Sequence, residues 1–217
     1  MKVILLGASG MVGQGVLIEC LRDPRVERVL SLGRSPSGRQ DHKLRELVHA
    51  DLYDLSAVED RLRGYDTCFY CLGVSSVGMN EADYTRVTHD YTLAAARTLA
   101  RLNPAMVFTY VTGTGTDSSE QGRVMWARGK GRTENELQRL GFKATYLFRP
   151  GAIVPLNGIA PKDARLRALY RWTKPVWHLA RALLPNQVAS TRTIGLAMLG
   201  VARTGVDKAI LEPADIE

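Results

Sequence analysis

The chain is poor in the residues that build disulfide frameworks and membrane spans. It has three cysteines, Cys20, Cys68 and Cys71, an odd and sparse set that fits a reducing compartment better than a disulfide scaffold. No apolar run approaches the ~20 residues needed to cross a bilayer, so no integral membrane segment is expected. The opening "MKVILLGASG" has an apolar core too short for a signal peptide and runs straight into a glycine turn. A cytoplasmic location is therefore expected. Internal repeats, low-complexity tracts and convincing linkers are also missing, and 217 residues suit one well-buried domain better than two.

Acidic residues are in the minority. The formal net charge of +7 raises the question of a nucleic-acid partner, since basic surfaces attract phosphate at long range. The arginines from Arg22 to Arg63 are scattered, however, and no aromatic-flanked recognition motif accompanies them. A solvated basic face, or attraction for an anionic cofactor, is the expected meaning, with no specific nucleic acid. The two thiols of "CFYC" have the spacing of a redox or metal pair. They lie in an apolar run that reads as a buried strand, where positions three apart face opposite ways. They are expected to diverge as small core residues, and no metal site is expected.

Short apolar runs alternate with helical patterns through the first two thirds of the chain, the signature of a parallel sheet covered by crossover helices. The runs are "KVILLG", "RVLSLG", "RELVHA", "TCFYCLG", "MVFTYVTG" and "ATYLFRPG"; such near-continuous apolar stretches suit strands covered on both faces. Helices are predicted at about 11–22, 54–63, 80–102 and 122–140. After "LFRPG" the alternation stops, and a basic amphipathic stretch, "DARLRALYRWTKPVWHLARALLP", precedes a small helix, "TRTIGLAMLGVARTG". The expected architecture is α/β: a single Rossmann-like domain over 1–217, a doubly wound parallel sheet with helices on both faces. Residues 156–217 would form a short helical appendage on the substrate side. The basic stretch at 163–184 reads as a lid over the substrate crevice, with lipid or partner binding as the alternative.

"GASGMVG", Gly7 to Gly13, follows the first strand and opens the first helix with the spacing G-x-x-G-x-x-G. Gly7 permits the tight turn, Gly10 lets backbone approach a diphosphate, and Gly13 lets the helix pack on the strand. The free N–H groups around Ser9, Gly10, Met11 and Val12 would meet the phosphates. A nicotinamide dinucleotide is the expected ligand.

The second strand ends in "SLGRSPSGR", where a carboxylate would ordinarily take the ribose hydroxyls of NAD. None is present. Arg34 with Ser35, and Arg39 beyond them, offer a guanidinium and a hydroxyl to a 2′-phosphate, which favours NADP over NAD. As a solvent-facing turn residue, Arg34 would leave that choice open. Ligands of open α/β sheets lie outside the carboxyl ends of the strands. Asp51 and Leu52 are therefore placed for adenine, and Leu72, Gly73 and Val74 for the adenosine ribose. Asp51 could equally cap the helix near Ser56.

These motifs, with "HADLYDL", "CLGVSS", "VTGTGTDSS", "GKGRTENEL" and "LFRPGAIVP", resemble the short-chain dehydrogenase/reductase superfamily in its extended and atypical branches. The nearest likeness is to small NAD(P)-binding, epimerase-like proteins of the Tat-interacting, NmrA-type group, over about residues 1–155. The resemblance implies a catalytic lysine at Lys130 and a catalytic hydroxyl at Thr112 or Thr114. It also implies a loop at Pro150 and Gly151 passing the nicotinamide, and commonly a homodimer through helices 80–102 and 122–140. In the family a tyrosine stands four residues before the lysine, so that the ammonium lowers the phenol pKa for proton transfer. Here that position is Trp126, and an indole N–H cannot act as a base.

Three readings follow. Another group, such as Tyr84, His89, Thr114 or a residue of the C-terminal helices, carries the proton and a small carbonyl or ring substrate is reduced. Alternatively, the chain binds NADP as a regulatory sensor with impaired catalysis. In the third reading Trp126 is core, and Lys130 merely pairs with Glu134 on the surface.

Overall fold

The computed structural model describes residues 1–159 and 188–216. Its strands are β1 (Lys2–Leu6), β2 (Arg28–Gly33), β3 (Leu44–Val48), β4 (Thr67–Tyr70), β5 (Val107–Val111), β6 (Ala144–Phe148), β7 (Ala152–Val154), β8 (Val188–Ser190) and β9 (Ile210–Leu211). Seven of them form one sheet in the order β3-β2-β1-β4-β5-β6-β9, every pairing parallel, while β7 and β8 pair separately.

The central strand explains why both faces are covered. Val3 and Leu5 point into one apolar cluster, Ile4 and Leu6 into the other, and all four are fully buried. Each such side chain contributes roughly 1.5–3 kcal/mol on leaving water, so neither face can be left wet. Helix α1 (Met11–Arg22) and the C-terminal helix Thr191–Thr204 cover the first face. The two helices approach closely because Gly15 lies against Thr191 and Gly195 against Glu19.

The second face is covered by the 3₁₀ helix Ser56–Leu62 and by the helices of the 80–140 region. Sequence periodicity predicts one helix over 80–102. The structure divides it into α2 (Glu81–Thr85), a π-helical turn at Arg86–Asp90, and α3 (Tyr91–Leu102). Asn80 caps α2, its side chain accepting from the Asp83 N–H at 2.8 Å. Helix α4 spans Met125–Gln138, and Thr191–Thr204 is accordingly α5. The thiols of "CFYC" diverge as expected, Cys68 into one cluster and Cys71 against the other.

The alternation that stops after "LFRPG" in the sequence resumes in the fold. β8 leads into α5, which leads into β9 at the edge of the main sheet. Strands of two or three residues carry too little periodicity to be read in advance. The basic stretch at 163–184 lies outside the described residues.

Candidate functional site

The strand order reverses direction at β1, with β2 on one side and β4 on the other, and the loops leaving the carboxyl ends of these strands part to leave a crevice. A cavity of about 230 Å³ lies there, lined by Gly7, Ser9, Gly10, Arg34, Leu52, Cys71, Leu72, Gly73, Val74, Val87 and Tyr91.

Its floor is the glycine turn. Gly7 has φ +85°, and a Cβ there would lie 2.6 Å from the backbone of Cys71 and Leu72. A Cβ on Gly13 would overlap the Gly7 carbonyl, so α1 starts hard against the turn. The Gly10 N–H donates to Gly7 O at 2.8 Å, and Gln14 Nε2 donates to Ser9 O at 3.2 Å, fixing the turn from both sides. Gly10 is the N-cap residue of α1, with no side-chain cap and no acidic residue in the first turn. The opening N–H groups are left for an anion to meet, and with them the positive end of the helix dipole. Those amides belong to Met11, Val12 and Gly13.

Arg34 enters the cavity just beyond β2, and among the described residues no carboxylate pairs with it. Its neighbour Ser35 is exposed outside the cavity lining. The loop behind them is tied down where Glu46 accepts from the backbone N–H of Ser37 at 2.6 Å and from its hydroxyl at 2.5 Å. Leu52 is buried in the cavity wall. The carboxylate of Asp51 accepts from the Tyr53 N–H at 2.8 Å, and it is Asp54 that meets the Ser56 N–H, at 2.9 Å.

A second group of residues gathers at the carboxyl ends of β5 and β6, beyond the cavity lining. Helix α4 turns Lys130 inward. Its Nζ lies 3.4 Å from the carbonyl oxygens of Val111 and Thr112 and 5.7 Å from the centre of the Tyr110 ring. Burial draws this ammonium down to about 8, with the nearby Glu134 carboxylate pulling the other way.

The Thr112 hydroxyl donates to Glu134 at 2.6 Å and lies 3.1 Å from Phe148 O, and that of Thr114 donates to Arg149 O at 3.2 Å. Pro150 accepts at its carbonyl from the Thr114 N–H at 3.1 Å, and Gly151 follows it into β7. The half-buried indole of Trp126 lies beside Gly115, whose φ is +87°. Two other proton carriers considered from sequence are committed elsewhere, while the candidates at 160–187 lie outside the described residues. Tyr84 is 1% exposed and packs near Gly129, while the ring nitrogens of His89 meet Asp90 at 2.8 Å and Glu136 at 2.9 Å.

Sequence reasoning missed the keystone beneath this group. Glu134 is not a surface partner of Lys130: it is fully buried and ion-paired with Arg149, at the end of β6. The signal was an arginine closing an apolar strand, "YLFRP", since a charge in such company needs a buried partner. Val87 and Tyr91 were also missed, because they reach the cavity from the π turn and the start of α3.

Comparison with known proteins agrees with the fold. The chain is 27% identical to Protein HTATIP2 of Rattus norvegicus over 70% of its own length, a match that spans 63% of the rat protein, less than two thirds. It is 23% identical to "Protein FMP52, mitochondrial" of Candida albicans, covering 99% of this chain and 96% of that one. Among solved structures, the Bordetella bronchiseptica enzyme WbmF in complex with NAD+ superposes with a TM-score of 0.71 at 13% identity, covering 99% of this chain and 76% of the other. A UDP-glucose 4-epimerase from Thermotoga maritima, solved with UDP-glucose, gives 0.72 at 12% identity, covering 98% and 76%. At such identities these likenesses establish the fold alone. The family model for the NAD dependent epimerase/dehydratase family matches residues 3–120, more than half of the chain, and it is to this family that the chain belongs.

Proposed function

We propose that the chain binds NADP(H) in the cavity at the β1/β4 junction and serves as an atypical short-chain oxidoreductase acting on a small carbonyl-type or ring substrate. The observation that carries the choice of cofactor is Arg34. It shares the cavity with Gly10, and no carboxylate among the described residues neutralises it. A guanidinium in that position favours a 2′-phosphate by charge and by fork geometry.

The residues present fit the group. The glycine turn is a cradle that any Cβ at Gly7 or Gly13 would fill, and the uncapped amides of Met11 and Val12 suit a diphosphate. Ser9 and Gly10 would line its path, with Arg34 and Ser35 at the adenosine phosphate. Leu52 and Asp51 would stand beside adenine, and Leu72, Gly73 and Val74 beside the ribose. Lys130, Pro150 and Gly151 would stand at the nicotinamide end. When bound, the cofactor supplies hydride chemistry. The chain's own part is to hold the anion, to exclude water with Val74, Val87 and Tyr91, and to keep Thr112 and Thr114 fixed at the strand ends.

One observation favours a second reading, an NADP(H)-dependent regulator with impaired catalysis. Trp126 stands where a phenol is expected, and Tyr84, His89, Thr112 and Thr114 all spend their polar atoms within the protein. Isothermal calorimetry with NADPH and NADH tests the common part: heat with NADPH at lower concentration than with NADH is expected, and heat with neither overturns it. NADPH oxidation over a panel of small carbonyl compounds then separates enzyme from regulator.

A further inference from the structure

We propose that Lys130 itself carries the proton of this site, acting where the missing phenol would have acted; this rests on the reading of the cavity as a nicotinamide-dinucleotide site. Tyr70 and Tyr110 are register partners in β4 and β5, so Cys71, which lines the cavity, lies alongside Val111. Lys130 Nζ is 3.4 Å from the Val111 carbonyl and therefore sits at the strand end next to the cavity. An ammonium has three N–H donors. The carbonyls of Val111 and Thr112 take two of them, at long distances, leaving the third for a ligand oxygen.

Among the described residues, the competing groups are excluded by their chemistry, burial or existing bonds. The indole of Trp126 is a donor that does not ionise near neutrality. Tyr84 is sealed from solvent, and burial raises its phenol pKa. The ring nitrogens of His89 are both held by carboxylates. Thr112 and Thr114 donate to Glu134 and to Arg149 O.

Among the described residues, the ionisable groups facing Lys130 are few. Glu134 lies one turn further along α4, with its carboxylate held by Arg149 from the end of β6. From β5 comes Tyr110, whose phenol is raised by burial and stays neutral. Against that background burial wins, and the ammonium is drawn to about 8, close to the working pH at which a general acid is most effective.

In the step itself, the Nζ–H bond breaks as an O–H bond forms on the substrate carbonyl oxygen. Nζ keeps the electron pair as a neutral amine and regains a proton from water; the hydride that reduces the carbon is the cofactor's contribution.

Three measurements on the full chain test the proposal. Competitive acetylation from pH 6 to 11, read by peptide mass spectrometry, gives the titration of Lys130 without any turnover. A midpoint near 8 is expected, whereas a midpoint among the surface lysines overturns the proposal. NADPH binding is followed by fluorescence for the native chain, Lys130→Arg and Lys130→Met. Reduction of 9,10-phenanthrenequinone is followed across the same pH range.

Native activity should fall as pH rises through the Lys130 midpoint. Lys130→Arg keeps the charge but yields no proton, and should lose about 10²-fold or more in turnover while still binding NADPH. Native turnover in that variant overturns the proposal, as does bound NADPH with no quinone reduced at any pH. Failure of the native chain to bind NADPH removes the underlying reading instead, and the two failures are thereby distinct.

Discussion

Nε of Arg149 lies 3.1 Å from Oε1 of Glu134, in a pair that solvent scarcely touches: the glutamate is 0% exposed and the arginine 9%. Two charges taken out of water are tolerated only when their remaining donors and acceptors are also met. Thr112 donates to the same carboxylate at 2.6 Å, and Arg149 donates to Ser118 Oγ at 2.6 Å and to Glu212 at 3.3 Å. The pair thus joins α4, the ends of β5 and β6, and the C-terminal segment.

Removing one member should be worse than removing both. Glu134→Leu or Arg149→Met alone is expected to cost about 3–5 kcal/mol, because a buried charge is left without its partner. The double variant should cost less than either single variant. Urea denaturation of the four proteins measures this, and strictly additive losses would refute the coupling.

Arg34 should govern the choice between cofactors. Arg34→Ala is expected to weaken NADPH binding by about 1.5–3 kcal/mol, the worth of a hydrogen bond to a charged group. NADH binding should change by less than about threefold, since its ribose lacks the phosphate. Equal losses for both cofactors, measured by calorimetry, would place the arginine outside the phosphate site.

The glycines of the turn are held by space rather than by flexibility alone. Gly13→Ala pushes a methyl into the Gly7 carbonyl, and Gly131→Ala pushes one into the backbone of Asp117. The first should abolish dinucleotide binding in a protein that still folds; the second should displace the loop after β5 and lower stability by about 1–3 kcal/mol. Gly200, inside α5 with nothing within 4 Å of its missing Cβ, is the control. Its alanine variant should gain about 0.5–1 kcal/mol from helix propensity.

Trp126→Tyr puts a phenol four residues before Lys130. Where Lys130 already carries the proton, the change should raise NADPH-dependent turnover by no more than about tenfold. A gain on the order of 10²–10⁴ would mean that the native site lacked a proton carrier. Cofactor affinity, measured beside it, is expected to hold.

Lys130 also imposes a pH-dependent cost on the fold. Its pKa falls from 10.5 to about 8 on folding, so below about 8 the native state bears the full penalty of a buried ammonium. The penalty fades as pH rises towards 10.5 and both states become neutral. Lys130→Met should therefore stabilise the protein at pH 7 by at most roughly 3 kcal/mol, at about 1.4 kcal/mol per unit. Its advantage should shrink between pH 8 and 10.5. Melting temperatures of both proteins across that range provide the check, and a gain that does not vary with pH would contradict it.

The glycine turn that opens at Gly7, the strand ends at Leu52 and Leu72–Val74, and Arg34 were legible as parts of one crevice because each is a local pattern, a strand followed by a break at its carboxyl end. Val87 and Tyr91 were not, since their approach to the cavity depends on a π turn that helical periodicity cannot register. Arg149 closes an apolar strand and so calls for a buried partner, but Glu134, fifteen positions earlier, resembles an ordinary surface charge of a helix. Only the packing of α4 over β6 makes them a pair. The short β8 and β9 carry no periodic signal and exist because the sheet edge and α5 supply their neighbours.

The widened turn at Arg86–Asp90 bears on how this molecule can vary. A uniform helix from Glu81 to Leu102 would rotate everything upstream by about 100° for each residue gained or lost. The present pitch lets Val87 and Tyr91 look into the crevice while His89 reaches across to Glu136 on α4. Point replacements along this seam are absorbed one side chain at a time. A single deletion, by contrast, would swing the crevice wall and the α4 bridge out of phase together, so the length of the seam constrains the site more tightly than its composition does.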